Sequence, residues 1–252
     1  MKAFLTLYKI ELIKLKRTLA LWMAVLAPAV VLMFQIVSWL RNVDSFKDGL
    51  DPWMIFHENV GAMWGIFMLP LFTALITALI YQLDFANNGW LRLYTMPIRR
   101  WVIPTAKIAV VMTVILLATA VMTVGSLFGV LFVDLVKPAL VIDEPVPYLA
   151  LLKVSSILFV SSLSMIAIQN IISFRFSAIS VPLGVGIGGV FVAIFAASAK
   201  YGYLFPWLMP IRAIRGAEEF VPTIIILNVV GGLLLFSTLI FYATKRDPGL
   251  IR

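Results

Sequence analysis

Residues Ile108–Val133 read IAVVMTVILLATAVMTVGSLFGVLFV, 26 positions without one Asp, Glu, Lys, Arg or His. About 20 such residues suffice for a helix to cross the hydrocarbon core of a bilayer. Five more charge-free runs flank this one: Thr18–Leu40, Asn59–Leu83, Val154–Phe174, Phe176–Ala199 and Thr223–Thr244. Backbone polar groups find no water in lipid, so spanning segments are helices or a closed barrel. Barrel strands alternate polar and apolar residues over about ten positions, and these runs do not. The fold expected is therefore all-α: a polytopic membrane protein of six transmembrane helices in a single domain over 1–252.

The charged residues orient the spans. Lys and Arg number 13 in Met1–Arg17, Asp84–Lys107, Arg175 and Lys245–Arg252, against 7 in the alternate segments. By the positive-inside rule both termini face the cytoplasm. The net charge of +8 thus belongs to lipid headgroups, not nucleic acid. With no cysteine in the chain, disulfides, thiolate metal sites and thiol nucleophiles are excluded. The first apolar run is too long for the core of a signal peptide, so the N-terminus is expected to stay attached.

Residues 2–17 are expected to form an amphipathic helix lying on the membrane. Phe4, Leu5, Tyr8, Leu12, Leu15 and Leu19 share one stripe, and Lys2, Lys9 and Lys16 a neighbouring face. Tyr8, Glu11 and Arg17 complete this interfacial anchor. The outer loops expected are 41–58, 134–153 and 200–222. The last contains Tyr201, Tyr203, Phe205 and Trp207 beside Pro206 and Pro210. Such composition suits an outer-leaflet re-entrant or interfacial segment. Pro28, Pro70 and Pro182 lie within apolar runs and are expected to kink or break them.

Little here suggests catalysis. Gly184-Val-Gly-Ile-Gly-Gly189 has the spacing of a dinucleotide fingerprint but lies within an apolar run, where no strand precedes it. Gly184/Gly188, Gly61/Gly65 and Gly125/Gly129 instead read as close-packing pairs, expected within the bundle. His57 is the sole histidine, so no metal site is read. There is no GxxxxGK[ST] loop, no room for an ATPase domain, and no carboxylate, histidine or lysine inside the runs. Ion-driven carriers usually need such groups. Transport by this chain would draw its energy from a partner. Gln35, Thr73, Thr77, Gln169 and Asn170, with Tyr203 and Trp207, are the candidates for a substrate path, with helix-to-helix hydrogen bonding as the plainer role.

One string is specific. Tyr81-Gln-Leu-Asp84-Phe-Ala-Asn87-Asn88-Gly-Trp90-Leu91-Arg92-Leu93-Tyr94-Thr95-Met96-Pro97-Ile98-Arg99-Arg100, with Ala106-Lys107 after it, resembles the first inner loop of ABC-2 type transporter permeases. It is most similar to the branch holding lantibiotic-immunity and bacitracin-resistance permeases. The Glu11-x-x-Lys14-x-Lys16-Arg17 run before the first span is similar too. The chain departs from the pattern with Asp84 where Glu is usual, and with Gly89, which loosens the loop. The resemblance implies a subunit of a bacterial cytoplasmic-membrane exporter for a peptide antibiotic or other amphipathic molecule. It implies a second permease copy or homologue and two ATPase subunits, which would hold ATP and Mg; this chain binds no cofactor itself. Segment 84–100 would be the coupling loop, through Asp84, Asn88, Trp90, Leu91, Arg92, Leu93, Tyr94, Pro97, Arg99 and Arg100. Trp90, Leu91, Leu93 and Tyr94 form an apolar ridge suited to filling a pocket on the ATPase. The alternatives are a non-transporting scaffold or accessory subunit and a secondary carrier. No acid, base or nucleophile set supports an enzyme.

Overall fold

The computed structural model describes residues 2–16, 18–42, 51–85, 89–137, 145–199 and 201–245, and among them there is no strand. The helices are α1 (Lys2–Leu15), α2 (Leu19–Asn42), α3 (Pro52–Met63), α4 (Leu69–Phe85), α5 (Gly89–Thr95) and α6 (Val102–Val136), followed by α7 (Tyr148–Ser161), α8 (Leu163–Arg175), α9 (Ser180–Ala196), α10 (Met209–Arg215) and α11 (Val221–Lys245). Four helical stretches are long and apolar enough to cross a bilayer: Leu19–Arg41, Pro52–Phe85, Val102–Val136 and Val221–Lys245. A fifth is the pair α7–α8, bent by 41°. The sixth apolar run is helical only over the 17 residues of α9, about 26 Å of helix.

Each irregularity has a local cause. The α7–α8 bend falls where Ser161 and Ser162 donate to the carbonyls of Leu158 (3.1 Å) and Phe159 (2.7 Å), competing with the backbone ladder. The turn Trp64–Met68 between α3 and α4 is π-helical, and Pro70, which has no N–H to give, lies two residues beyond it. Pro28 is contained in an unbroken α2. Pro182 lies in the first turn of α9, where an absent N–H removes no helical bond, so the break expected there does not occur.

The second span starts earlier than its charges suggest. Asp51 caps α3 by accepting from the amides of Trp53 (2.9 Å) and Met54 (3.4 Å), so residues 52–58, expected in a loop, are helical. This turns His57 inward, fully buried. Ser126 gives its hydroxyl hydrogen to the Thr123 carbonyl (2.7 Å), so its oxygen accepts from His57 Nδ1 at 2.8 Å. His57 Nε2 meets Ser155 Oγ at 3.0 Å, and Ser155 meets Thr123 Oγ1 at 2.6 Å. One imidazole thus ties α3 to α6 and α7. Replacing it by leucine (His57→Leu) removes two bonds worth roughly 0.6–1.7 kcal/mol each in a membrane bundle. The expected result is a lower thermal midpoint in detergent with insertion preserved; an unchanged midpoint would show the network to be energetically idle.

Close helix approach follows the glycines. A methyl at Gly129 would lie 2.7 Å from the Phe56 ring, and one at Gly125 2.2 Å from Leu32. Gly61 and Gly65 pack on Leu158 in the same way. Gly184 and Gly188 differ: added methyls there would meet nothing within 4 Å, so this pair faces out of the bundle and not into it. On the opposite side of α9, Gly186 abuts Ala74 of α4.

Candidate functional site

Three distant pieces of the chain bring charge to one place. Glu11 of α1, Asp84 at the end of α4 and Lys107 in the second turn of α6 are all buried, Lys107 completely. Lys107 Nζ lies 3.1 Å from Glu11 Oε2 and contacts Asp84 Oδ2. Lys14 closes the ring from the other side, 2.7 Å from Glu11 Oε1 and 2.8 Å from Asp84 Oδ1. Two carboxylates and two ammonium groups give the cluster zero formal charge. Neutrality is what makes such burial tolerable, because an unpaired ion costs several kcal/mol to desolvate. Burial works against the Lys14 ammonium, but Glu11 and then Asp84 outweigh it and hold its pKa above the ordinary 10.5. A raised value means its contribution is complete below pH 10.5 and fades only as pH climbs through the folded value.

Trp90 roofs the cluster. Lys107 Nζ lies 5.4 Å from the Trp90 ring centroid and 5.5 Å from that of Tyr81, within cation–π range. The Trp90 indole, only 3% exposed, packs edge-on to Phe174 of α8 at 5.3 Å and against Phe85 at 5.7 Å. Tyr94 of α5 donates to the Ala243 carbonyl of α11 at 2.9 Å. The short α5 is therefore held to α4 and α8 by rings, to α11 by the Tyr94 bond and to α6 through Lys107, whose partner Glu11 lies on α1. Gly89 permits this: a methyl there would come within 3.0 Å of the Asp84 backbone, so the glycine tightens the loop against α4 where a looser loop was expected.

The placement of the other candidates follows. Trp90 and Leu93, expected on an external ridge, are buried, because the aromatic side chains around them come from this same chain. What the segment exposes is Thr95, Met96, Pro97, Arg99, Arg100 and Trp101, with the Arg100 guanidinium 5.8 Å from the Tyr94 ring. Asn88 and Arg17 lie outside the described residues, as do the side chains of Leu91 and Arg92. Lys2 and Lys9 of α1 and Lys16 just after it are exposed, and Tyr8 meets Thr113 Oγ1 at 2.8 Å. Glu11 is not part of that anchor; with Leu7 and Leu15 it forms the buried line of α1 facing α6.

The path candidates divide. Thr73, Thr77, Gln169 and Asn170 are fully buried between helices; Thr77 donates to the Thr73 carbonyl (2.8 Å), and Asn170 accepts from Tyr81 (3.2 Å) and donates to Ile166 (2.8 Å). Trp207 is buried against Gly189, Gln35 is half-buried on α2, and Tyr203 lines a cavity. Lys14 and Lys107 carry the site although the sequence assigned them no role. Their signal was present: two acidic and two basic residues, all just outside apolar runs.

Residues 7–196, three quarters of the chain, match the family described as ABC-2 family transporter protein. No curated protein and no solved structure matches. The matched stretch contains all four members of the charge cluster and α4, α5, α6 and α8, and ends before α11.

Proposed function

We propose, since this chain belongs to the ABC-2 family of transporter proteins, that it is the permease subunit of an ATP-driven exporter whose ATPase docks on residues 95–101. One observation carries this reading: an exposed strip with two arginines and two large apolar side chains is mounted on a helix held to α4, α6, α8 and α11, with α1 joined through Lys107. A push on the strip reaches α1, α4, α6, α8 and α11 together. Aromatic and arginine side chains are also the types that dominate protein interfaces.

In this reading the chain crosses the membrane six times, α9 included, with both termini in the bacterial cytoplasm. The distribution of Lys and Arg supports that orientation. A second permease copy lies against α9, whose outward Gly184 and Gly188 allow close approach of another helix. The cargo is an amphipathic molecule such as a peptide antibiotic; support comes from the likeness of 81–107 to immunity and resistance permeases. ATP and Mg are held by the partner.

The test is capture of the tagged chain from detergent-solubilised native membranes, followed by mass spectrometry. A stoichiometric P-loop ATPase is expected with the wild type. The double variant Arg99→Glu, Arg100→Glu should fold normally, since both side chains are exposed, yet lose most of the captured ATPase. Undiminished capture by the variant would move the docking surface elsewhere. A wild-type complex without ATPase would overturn the permease reading in favour of a scaffold or carrier.

A further inference from the structure

At the opposite end of the bundle from the charge cluster, the end of α9, the segment 201–204, α10 and the start of α11 enclose a cavity of about 300 Å³. Its lining is mixed. Arg212 and Ser198 supply polar atoms, while Tyr203, Phe220, Ala217 and Ile224 supply an apolar wall. The Tyr203 and Phe220 rings are stacked, 5.3 Å between centroids and 27° between planes. The half-buried Arg212 guanidinium donates one bond, to the Ala197 carbonyl at the end of α9. Among the described residues it pairs with no carboxylate. It differs in this from Lys14 and Lys107, each of which lies between two carboxylates.

A guanidinium carries five donors in a planar fork. With one donor given to a backbone carbonyl, the remainder suit a phosphate or carboxylate, which Arg binds through two parallel bonds. Half-buried beside an apolar wall and with no carboxylate partner among the described residues, this cation is free to pair with an anion entering the cavity. The stacked rings beside it offer a flat apolar face of the kind an alkyl chain covers. The volume lies at the lower end of the roughly 300–1,000 Å³ found for small-molecule sites, room for a headgroup and the first part of a chain but not for a folded peptide.

We infer that the cavity formed by Arg212, Ser198 and the Tyr203–Phe220 stack binds the anionic head of an amphiphile, a phosphate or carboxylate with an alkyl chain attached. The inference rests on the proposed orientation only for which leaflet supplies the ligand; the site itself needs neither the ATPase nor a second copy. Two sources share this chemistry, a phospholipid of the surrounding leaflet and a mobile anionic amphiphile.

The experiment uses the isolated full-length chain in dodecyl maltoside, titrated with dodecyl phosphate and, separately, with dodecanol, with binding read by native mass spectrometry. One dodecyl phosphate per chain is expected, with dodecanol binding at least about tenfold more weakly for want of the charge. Arg212→Gln should reduce affinity by about tenfold or more. Because that change also removes the bond to Ala197, a second variant, Ala217→Phe, fills the cavity while leaving Arg212 in place, and should reduce binding as strongly. Equal binding of dodecanol, or undiminished binding by both variants, would overturn the site. Repeating the titration in nanodiscs separates the sources. Competition by phosphatidylglycerol, absent with phosphatidylcholine alone, supports the site with a resident lipid; binding that survives phosphatidylglycerol supports it with a mobile amphiphile. Failure to capture an ATPase would leave these results standing, and failure here would leave the permease assignment standing.

Discussion

Lys107→Met is expected to lower stability by about 3–5 kcal/mol, the cost of stripping one partner from a buried ion cluster. The methionine fills much the same volume, so the loss is electrostatic. Glu11 and Asp84 would share Lys14 alone, leaving one uncompensated negative charge in a place that water barely reaches. The companion variant Lys107→Met with Glu11→Gln restores neutrality and should recover a large part of the loss, because buried pairs are coupled and not additive. Thermal unfolding of the detergent-solubilised protein, with its monodispersity, reads both. If the double variant were as unstable as the sum of the two singles, the four side chains would be neighbours without energetic coupling.

Trp90→Ala is expected to cost about 3–5 kcal/mol, the range for deleting a buried large aromatic. The contrast with the exposed arginines gives the prediction its edge. Arg99→Glu with Arg100→Glu should spare stability and lose the ATPase, whereas Trp90→Ala should first loosen the chain itself. Its ring holds α5 to α4 and α8, so release would free the whole segment. The milder Trp90→Phe keeps an aromatic in the cage and should retain most of the stability. Limited proteolysis between residues 85 and 101 would report the release directly; a Trp90→Ala protein as resistant as wild type would show that Tyr94 and the charge cluster suffice to hold α5.

Four spans and the bent pair α7–α8 were legible because charge-free runs of this length have few alternatives in lipid; the remaining run is helical over α9 alone. The ends of the spans were not legible. Lys107 marks a boundary to a reader of sequence, yet α6 begins at Val102, since Asp84 and Glu11 neutralise that lysine. Glu58 marked another, yet α3 begins at Pro52 and His57 finds Ser126 and Ser155 inside. In both cases the partner lies far along the chain, and no local pattern reports it. The same holds for α1: a carboxylate at Glu11 belongs to the wet face of an amphipathic helix until a lysine 96 positions later is brought against it. The loop was recognisable as a string, but which of its residues point inward depends on rings from α8: Trp90 and Leu93 of the expected ridge are buried, while Pro97, Arg99 and Arg100 of the same segment are exposed.

The charge cluster also imposes an order on biogenesis. Glu11 meets Lys14 within one helical turn of itself, so these two can pair as soon as α1 leaves the ribosome. Asp84 arrives with the end of α4 and makes the account negative by one. Only Lys107, at the threshold of α6, balances it. Until that residue is delivered, Glu11 and Asp84 share the single ammonium of Lys14, and α1 lacks α6, the helix it chiefly packs against. A chain truncated before Lys107 is therefore expected to leave α1 undocked, because the last ion of the cluster and the helix that carries it arrive together.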